Sequence, residues 1–404
     1  MAKSFKKKIK DIIYVSAKRS ARALYYLGTH VLRPKDNIIL LESSNGRNYT
    51  GNPRYVYEEI LSQGLDKEFK CVWVFMKPEL QEIPGNGIKV KRSFFKFLYY
   101  TIVSGTWIFD SRHLYYLRKH EKTKYIQTWH GTPLKKLGLD MDYIDMSGNQ
   151  DIEKYHAEFT KNSADWQYLI SQNSYSSEIF KRAFAFNGEM LEIGYPRNDI
   201  LFSKNNPDNI EAIKDKFNIP KDKKIILYAP TWRDNEYYAK GQYKFVTDMD
   251  FDAMKEALSD DYALIVKYHY LVKENIDWDK YGGFVIECDS EWDIQELYLI
   301  SDVLITDYSS VMFDYAILRR PMLFFTYDLE FYKDSLRDFY FDMFEEVPGP
   351  IVETTDKLIS EIKELDNGEY MERFGKKYDD FQRKYNEFDN GTASKKIIEL
   401  IRGK

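Results

Sequence analysis

Short apolar runs recur along the chain, separated by stretches in which apolar positions repeat every third or fourth residue. Runs near 38–41, 71–75, 107–109, 125–128, 168–170 and 190–193 predict buried strands. Between them, 53–63, 93–103 and 175–185 carry the spacing of amphipathic helices. Strands that alternate with helices predict parallel sheets built of βαβ units. The polar stretch Ser203-Lys204-Asn205-Asn206-Pro207-Asp208 interrupts this pattern and reads as a link between domains. A second alternating set follows, with strands expected at 225–228, 263–267, 284–286, 303–306 and 322–325. From Thr355 the pattern is helical, with breaks at Gly368 and at Asp389-Asn390-Gly391. No internal repeat and no low-complexity tract is present.

Several strand ends carry chemistry. The run Tyr125-Ile126-Gln127-Thr128 closes on Trp129-His130-Gly131-Thr132-Pro133-Leu134, which puts an imidazole at the carboxyl end of a strand. Open α/β sheets bind their ligands there, and an imidazole takes up a proton near neutral pH. A structural histidine beside a tryptophan is the competing reading. Val303-Leu304-Ile305 leads through Thr306-Asp307-Tyr308-Ser309-Ser310 into a helical pattern from Val311 to Leu318. Ser309 and Ser310 read either as helix caps or as the edge of a phosphate site, because a helix start presents unpaired N–H groups. Asp314, about one turn in, reads as a partner of the same dipole. Neither GxGxxG nor GxxxxGK[ST] occurs. Three more strand ends repeat the arrangement: Ala229-Pro230-Thr231-Trp232-Arg233, Lys267-Tyr268-His269 and Gly194-Tyr195-Pro196-Arg197.

A length of 404 residues exceeds what one core usually serves, so two domains are expected. The net charge of −5 argues against general nucleic-acid binding. Cys71 and Cys288 are the only two cysteines, which suits a reducing compartment and argues against a disulfide framework or a thiolate zinc site. The first residues depart from this balance. Lys3, Lys6, Lys7, Lys8, Lys10, Lys18, Arg19, Arg22 and Arg33 face one acid, Asp11, while Phe5, Ile9, Ile13, Ala17, Leu24 and Leu27 recur at near-helical spacing. A basic amphipathic helix lying on anionic lipid is expected, with a helix packed on the catalytic domain as the alternative. Neither a signal peptide nor a run of the roughly 18–20 apolar residues that span a bilayer is present.

The runs QTWHGTPLK at 127–135, EIGYPRND at 192–199, YAPTWRD at 228–234, ITDYSSVMFDYAILRRP at 305–321, VPGP at 347–350 and DNGTAS at 389–394 together resemble the CDP-glycerol glycerophosphotransferase family. Members are membrane-associated enzymes that build teichoic acid polymers in Gram-positive bacteria. The resemblance extends from Asn37 to the C-terminus. It implies an α/β fold of the GT-B class, two Rossmann-like domains facing across a cleft. The expected division is an amphipathic membrane-associating helix at 1–33, an acceptor domain with the catalytic base at 34–205, and a CDP-polyol donor domain at 206–404. In such proteins the terminal helix often crosses back to the first domain.

By position, the resemblance implies His130 as catalytic base, with Gly131, Thr132, Pro133 and Leu134 around the substrate. Arg197, Pro230, Thr231, His269, Ser309, Ser310 and Asp314 would hold the CDP-glycerol donor, and protonated His269 would serve as an acid. Relatives commonly carry Arg-Met-His where this chain has Lys267-Tyr268-His269, so a compact ammonium replaces a fork that binds phosphate in two places. The implied partners are CDP-glycerol, an undecaprenyl-diphosphate-linked disaccharide or glycerol-phosphate acceptor, and an anionic membrane surface. The implied location is the cytoplasmic face of the cell membrane. No cofactor is implied.

The chemistry has its own logic. Moving a polyol phosphate needs a deprotonated acceptor hydroxyl, neutralised diphosphate charge and in-line geometry. No catalytic metal is expected: no DxD triplet stands near a strand end, and Asp140-Met141-Asp142 falls in a loop-like segment. Arginine and a helix start supply the neutralisation instead. The competing functions are transfer from CDP-ribitol, sugar transfer from a nucleotide sugar on the same fold, and an idle membrane scaffold. A length that leaves little beyond a catalytic module and a membrane helix favours priming or short extension over long polymer synthesis.

Overall fold

A computed structural model describes residues 20–92, 95–143, 151–231, 237–239, 242–244, 247–267, 272–273, 276–288, 292–328 and 339–403. His269 and most of the basic N-terminal segment lie outside these residues.

The apolar runs form two sheets. In the first, β1 (Lys35–Glu42), β2 (Lys70–Phe75), β3 (Ile88–Lys91), β4 (Ser104–Phe109), β5 (Lys124–Gln127), β6 (Tyr168–Ser171) and β7 (Glu189–Glu192) follow the order β3-β2-β1-β4-β5-β6-β7. The pairings from β3 through to β6 are parallel. Every residue of β4 is buried, as expected for a parallel strand covered on both faces. The three helical patterns become helices Gly51–Ser62, Phe95–Val103 and Ser174–Ala183. Asn173 starts the last of these, its Oδ1 accepting from the Ser176 amide at 2.7 Å. Strand β3 was not expected; its Ile-Lys-Val-Lys pattern buries only Val90.

The second sheet comprises β8 (Lys224–Tyr228), β11 (Tyr262–Val266), β13 (Val285–Glu287), β14 (Val303–Thr306), β15 (Met322–Phe325) and β16 (Ile351–Val352). Its order is β13-β11-β8-β14-β15-β16, parallel throughout. Ile226, Leu264, Ile305 and Leu323 share one core with Phe251 and Met254 of helix Phe251–Leu258 and with Leu358 and Ile362 of helix Thr355–Glu364. The short strands β9 (Tyr237–Ala239), β10 (Gln242–Lys244) and β12 (Val272–Lys273) make a separate small sheet that the hydrophobic pattern does not announce.

Two compact units result. One comprises residues up to His130, Asn162–Ile170 and Ser394–Lys404; the other comprises Gly131–Lys161 and Ser171–Ala393. The last helix, Ala393–Arg402, therefore belongs mostly to the first unit, where Lys124 Nζ donates to the carbonyls of Leu400 and Ile401 at 3.0 and 3.1 Å. These donations reach the last turn of the helix, where the Leu400 carbonyl also accepts from the Gly403 amide at 3.2 Å. Each sheet reverses its strand order once, at β1/β4 and at β8/β14. Ligands of open α/β sheets bind outside the carboxyl ends of the strands at such points.

Candidate functional site

In the first unit His130 stands just beyond β5. Trp129 precedes it in a left-handed conformation, φ +51°, which costs a bulky residue about 1–3 kcal/mol and needs support from its surroundings. That support comes from both sides. Gln127 Oε1 accepts from the Trp129 amide at 3.0 Å, and Asn52 Nδ2 donates to the carbonyls of Thr128 and Trp129 at 3.2 and 3.0 Å. The kink leaves the exposed His130 ring stacked on the Trp129 indole, 4.4 Å between centroids.

In the second unit Pro230, Thr231, Lys267, Ser309 and Ser310 lie at the ends of three adjacent strands, β11, β8 and β14, while Arg197 follows β7. The Lys267 amide donates to the Tyr228 carbonyl at 2.8 Å, so Lys267 leaves β11 beside the end of β8. Beyond β8, Thr306 Oγ1 donates to the Ala229 carbonyl and Asp307 Oδ1 accepts from the Thr231 amide, each at 2.8 Å. Pro230 stands between these two tethers and has no N–H to satisfy. The turn that carries Pro230 and Thr231 is thus fixed to the end of β14, at the switch point.

Ser309 and Ser310 precede helix Val311–Tyr315, which tightens to a 3-10 turn over Ala316–Leu318. Ser310 makes no side-chain cap bond, so the cap alone does not account for its hydroxyl. A Cβ on Gly131 would lie 3.1 Å from Ser310 Oγ and 3.8 Å from Arg197 Nη2. Glycine at this position therefore lets the loop after His130 lie close against Ser310 and the Arg197 guanidinium.

Asp314 does more than meet a helix dipole. Its Oδ2 pairs with Arg197 Nη2 at 2.7 Å, with exposures of 3% for Asp314 and 9% for Arg197. Burial opposes the charge on Arg197 most strongly, but the Asp314 carboxylate together with Tyr195 and Tyr298 outweighs it and raises the pKa above its ordinary value. Asp314 also accepts from Asn198 Nδ2 at 3.0 Å and, more distantly, from Gln172 and Gln295 at 3.5 and 3.4 Å.

Thr132 joins this network through its hydroxyl. It accepts from Asn173 Nδ2 at 3.1 Å and donates to Gln172 Oε1 at 2.7 Å, which fixes the orientation of the Gln172 amide. Gln172 Nε2 then donates to Asp389 Oδ2 at 2.6 Å. Pro133 accepts from Tyr175 through its carbonyl at 3.1 Å, and Leu134 is buried. Both anchor the loop rather than bear chemistry. Gly131, Arg197, Ser310 and Asp314 are therefore brought together, Thr132 is linked to them through Gln172, and Pro230, Thr231 and Lys267 occupy neighbouring strand ends.

Sequence reasoning passed over Gln172, Asn173, Asn198, Asp307 and Asp389 as functional residues. The signal for the first two was present: Ser-Gln-Asn-Ser follows the apolar end of β6 just as Trp-His-Gly-Thr follows that of β5. Asp389 shows locally only as part of the Asp389-Asn390-Gly391 turn; the residues it holds near 172 and 195–198 are distant in sequence.

Fold and site together define a doubly wound α/β protein with polar groups gathered at the switch point of its second sheet. The chain belongs to the family described as CDP-Glycerol:Poly(glycerophosphate) glycerophosphotransferase, whose model matches residues 24–403. It is 44% identical over 370 residues to the teichoic acid poly(glycerol phosphate) polymerase of Bacillus subtilis (strain 168), covering 91% of this chain and 49% of that one. The chain thus spans about half the length of that relative. The teichoic acid glycerol-phosphate transferase of Staphylococcus aureus (strain NCTC 8325 / PS 47) is 40% identical over 373 residues, 91% of this chain and 93% of that one. The structure of the wall teichoic acid polymerase TagF superposes with a TM-score of 0.89 at 40% identity, covering 100% of this chain and 98% of that one. The two-sheet GT-B class expected from the sequence is the fold observed.

Proposed function

We propose that the chain transfers glycerol phosphate from CDP-glycerol to a lipid-linked acceptor of wall teichoic acid synthesis, with release of CMP. The observation that carries this reading is the convergence of Gly131 and Arg197, beyond β5 and β7, on Ser310 and Asp314, beyond β14, in a chain whose relatives at 40% identity and above are named for glycerol phosphate. His130 is the base that takes the proton from the acceptor hydroxyl as it attacks the phosphorus bearing glycerol. Arg197 and the Ser309–Ser310 segment stabilise the charge that builds on the departing CMP, with Lys267 as a further point charge and His269 as the proposed acid. Pro230 and Thr231 hold the nucleotide side. Among the described residues no cluster of three His, Cys, Asp or Glu could hold a metal ion.

The deciding assay is CMP release by purified protein with CDP-glycerol or CDP-ribitol, each with and without a lipid-linked disaccharide acceptor bearing no or one glycerol phosphate. Acceptor-dependent release from CDP-glycerol is expected. Release from CDP-ribitol alone would reassign the donor, and release from neither by folded protein would discard the reading. The preferred acceptor separates priming from extension.

We also propose that the protein works at the cytoplasmic face of an anionic membrane. Helix 20–31 packs inward through Tyr25, which donates to the Arg118 carbonyl at 3.1 Å and accepts from its amide at 2.8 Å. Its outer face carries Leu24, Leu27 and Val31, 61%, 64% and 76% exposed, at intervals of three and four residues. Among the described residues no helix is long and apolar enough to cross a bilayer. An apolar stripe on a basic segment fits a helix lying in the headgroup region. Leu24→Asp with Leu27→Asp is expected to reduce sedimentation with anionic vesicles on the order of tenfold or more, with unchanged turnover of a soluble acceptor analogue. Undiminished sedimentation would reject this placement.

A further inference from the structure

The segment Asp389-Asn390-Gly391-Thr392-Ala393 has no part in the chemistry assigned so far, yet it binds the turn that carries Arg197. Asp389 Oδ1 accepts from the Tyr195 amide at 3.0 Å and from Asn198 Nδ2 at 3.3 Å, so one oxygen holds the residues on either side of Pro196-Arg197. Its Oδ2 accepts from Gln172 Nε2 at 2.6 Å and from Asn386 Nδ2 at 3.4 Å. Two further bonds fasten the segment alongside: the Phe388 amide to the Gln172 carbonyl at 3.1 Å, and the Ala393 amide to Asp199 Oδ1 at 3.0 Å. Gly194, at φ +81°, allows the close approach; a Cβ there would lie 2.8 Å from Asp389 Oδ1 and 2.9 Å from the Phe388 carbonyl oxygen. Asn390 keeps the turn closed by accepting from the Thr392 amide at 3.1 Å.

We propose that Asp389 is a positioning residue for the transfer reaction, clamping the turn Tyr195–Asn198 so that the Arg197 guanidinium is aimed at the space bordered by Ser310 and Gly131. The clamp acts from behind the pair that Arg197 makes with Asp314. Asn198 Nδ2 bridges both carboxylates, at 3.0 Å from Asp314 Oδ1 and 3.3 Å from Asp389 Oδ1. Asp314 opposes the charge of the guanidinium, and Asp389 fixes the backbone on which it is mounted. Thr132 reaches the clamp through Gln172, so the loop after His130 and the turn bearing Arg197 share one hydrogen-bonded frame within the second unit. The carboxylate is required for this, not merely its shape. All four partners of Asp389 are N–H donors, so a carboxamide satisfies one side and sets N–H against N–H on the other.

This inference rests on the CDP-glycerol reading, and its test separates the two. Asp389→Asn, Arg197→Ala and the double variant are compared for acceptor-dependent CMP release and for thermal unfolding. In the single Asp389→Asn protein kcat is expected to fall on the order of 100-fold, the size of loss that misplacement by about 1 Å produces. The KM for CDP-glycerol is expected to change less, because charge on the leaving group develops in the transition state. In the Arg197→Ala background the same substitution is expected to change kcat by less than about twofold, since no guanidinium remains to be aimed. Asn198→Ala provides a second approach: it removes one tether of the clamp and is expected to lower kcat less than additively with Asp389→Asn. Additive losses in either cycle, or a fall in kcat that only tracks lost folded protein, would overturn the positioning role while leaving the donor assignment intact. A folded wild-type protein that releases no CMP from CDP-glycerol would overturn both.

Discussion

Replacing His130 with alanine is expected to lower acceptor-dependent CMP release by about 10²- to 10⁴-fold, the usual contribution of a general base. CDP-glycerol should still bind with near wild-type affinity. The split follows from where the residues lie. His130 closes the first unit, stacked on Trp129 and carried on a backbone kink held by Gln127 and Asn52. Arg197, Asp314, Ser310, Thr231 and Lys267, which are proposed to hold the donor, all belong to the second unit. Truncating the imidazole ring at 130 removes a proton acceptor without removing any of those groups. Calorimetry with CDP-glycerol alone, beside the turnover assay, makes the distinction. A loss of affinity as large as the loss of turnover would show that His130 binds the donor, and the base would have to be sought elsewhere.

Most of the fold was legible because the strands of buried parallel sheets are nearly continuous apolar runs. The strands anticipated in both halves are present, from β1 with Ile39 to Leu41 through β15 with Met322 to Phe325. What escaped the pattern was short or at an edge. Strand β3 buries Val90 alone, and β16 is two residues long. Hydrophobic periodicity needs several buried positions to register, and such strands do not offer them.

The site was legible only where its residues follow strand ends. His130, Thr231, Lys267 and Ser310 were expected on that ground and do follow strand ends, where an open sheet binds its ligands. What each residue does was less accessible. Asp314 could be placed near a helix start, but its pairing with Arg197 joins positions 117 residues apart, by subtraction of their numbers. Gln172 and Asp389, 217 apart in sequence, meet at 2.6 Å. Single-sequence patterns carry local periods, whereas this network is set by tertiary closure of the tail against the ends of β6 and β7.

Replacing Arg197 or Asp314 is expected to destabilise the protein with opposite responses to pH. Removing one member of a buried pair leaves an uncompensated charge and costs about 3–5 kcal/mol. In the wild type, Asp389 already shows the strain of this charge balance. As a residue it retains some solvent contact, but burial of its carboxylate, assisted by the nearby Asp314 charge, pushes its pKa up to about 7, against the N–H donors of Gln172, Tyr195 and Asn198. An unfolded aspartate titrates near ~3.9. The folded state therefore binds the proton more tightly, and this contribution to stability is fully present below the unfolded pKa and is lost as pH rises through about 7. Arg197→Ala removes the cation that pairs with Asp314 beside Asp389, so the defect should be largest above about pH 8 and should ease on acidification as Asp389 takes up its proton. Asp314→Ala leaves a guanidinium that cannot be neutralised in this range. Asp389 is a carboxylate of the same network, held by the Asn198 side-chain amide, and acidification removes its charge, so that defect should deepen toward about pH 5.5. Thermal unfolding of both variants against wild type at these two pH values reads the signs directly. Parallel shifts would mean that the Arg197–Asp314 pair does not govern the charge balance of this site.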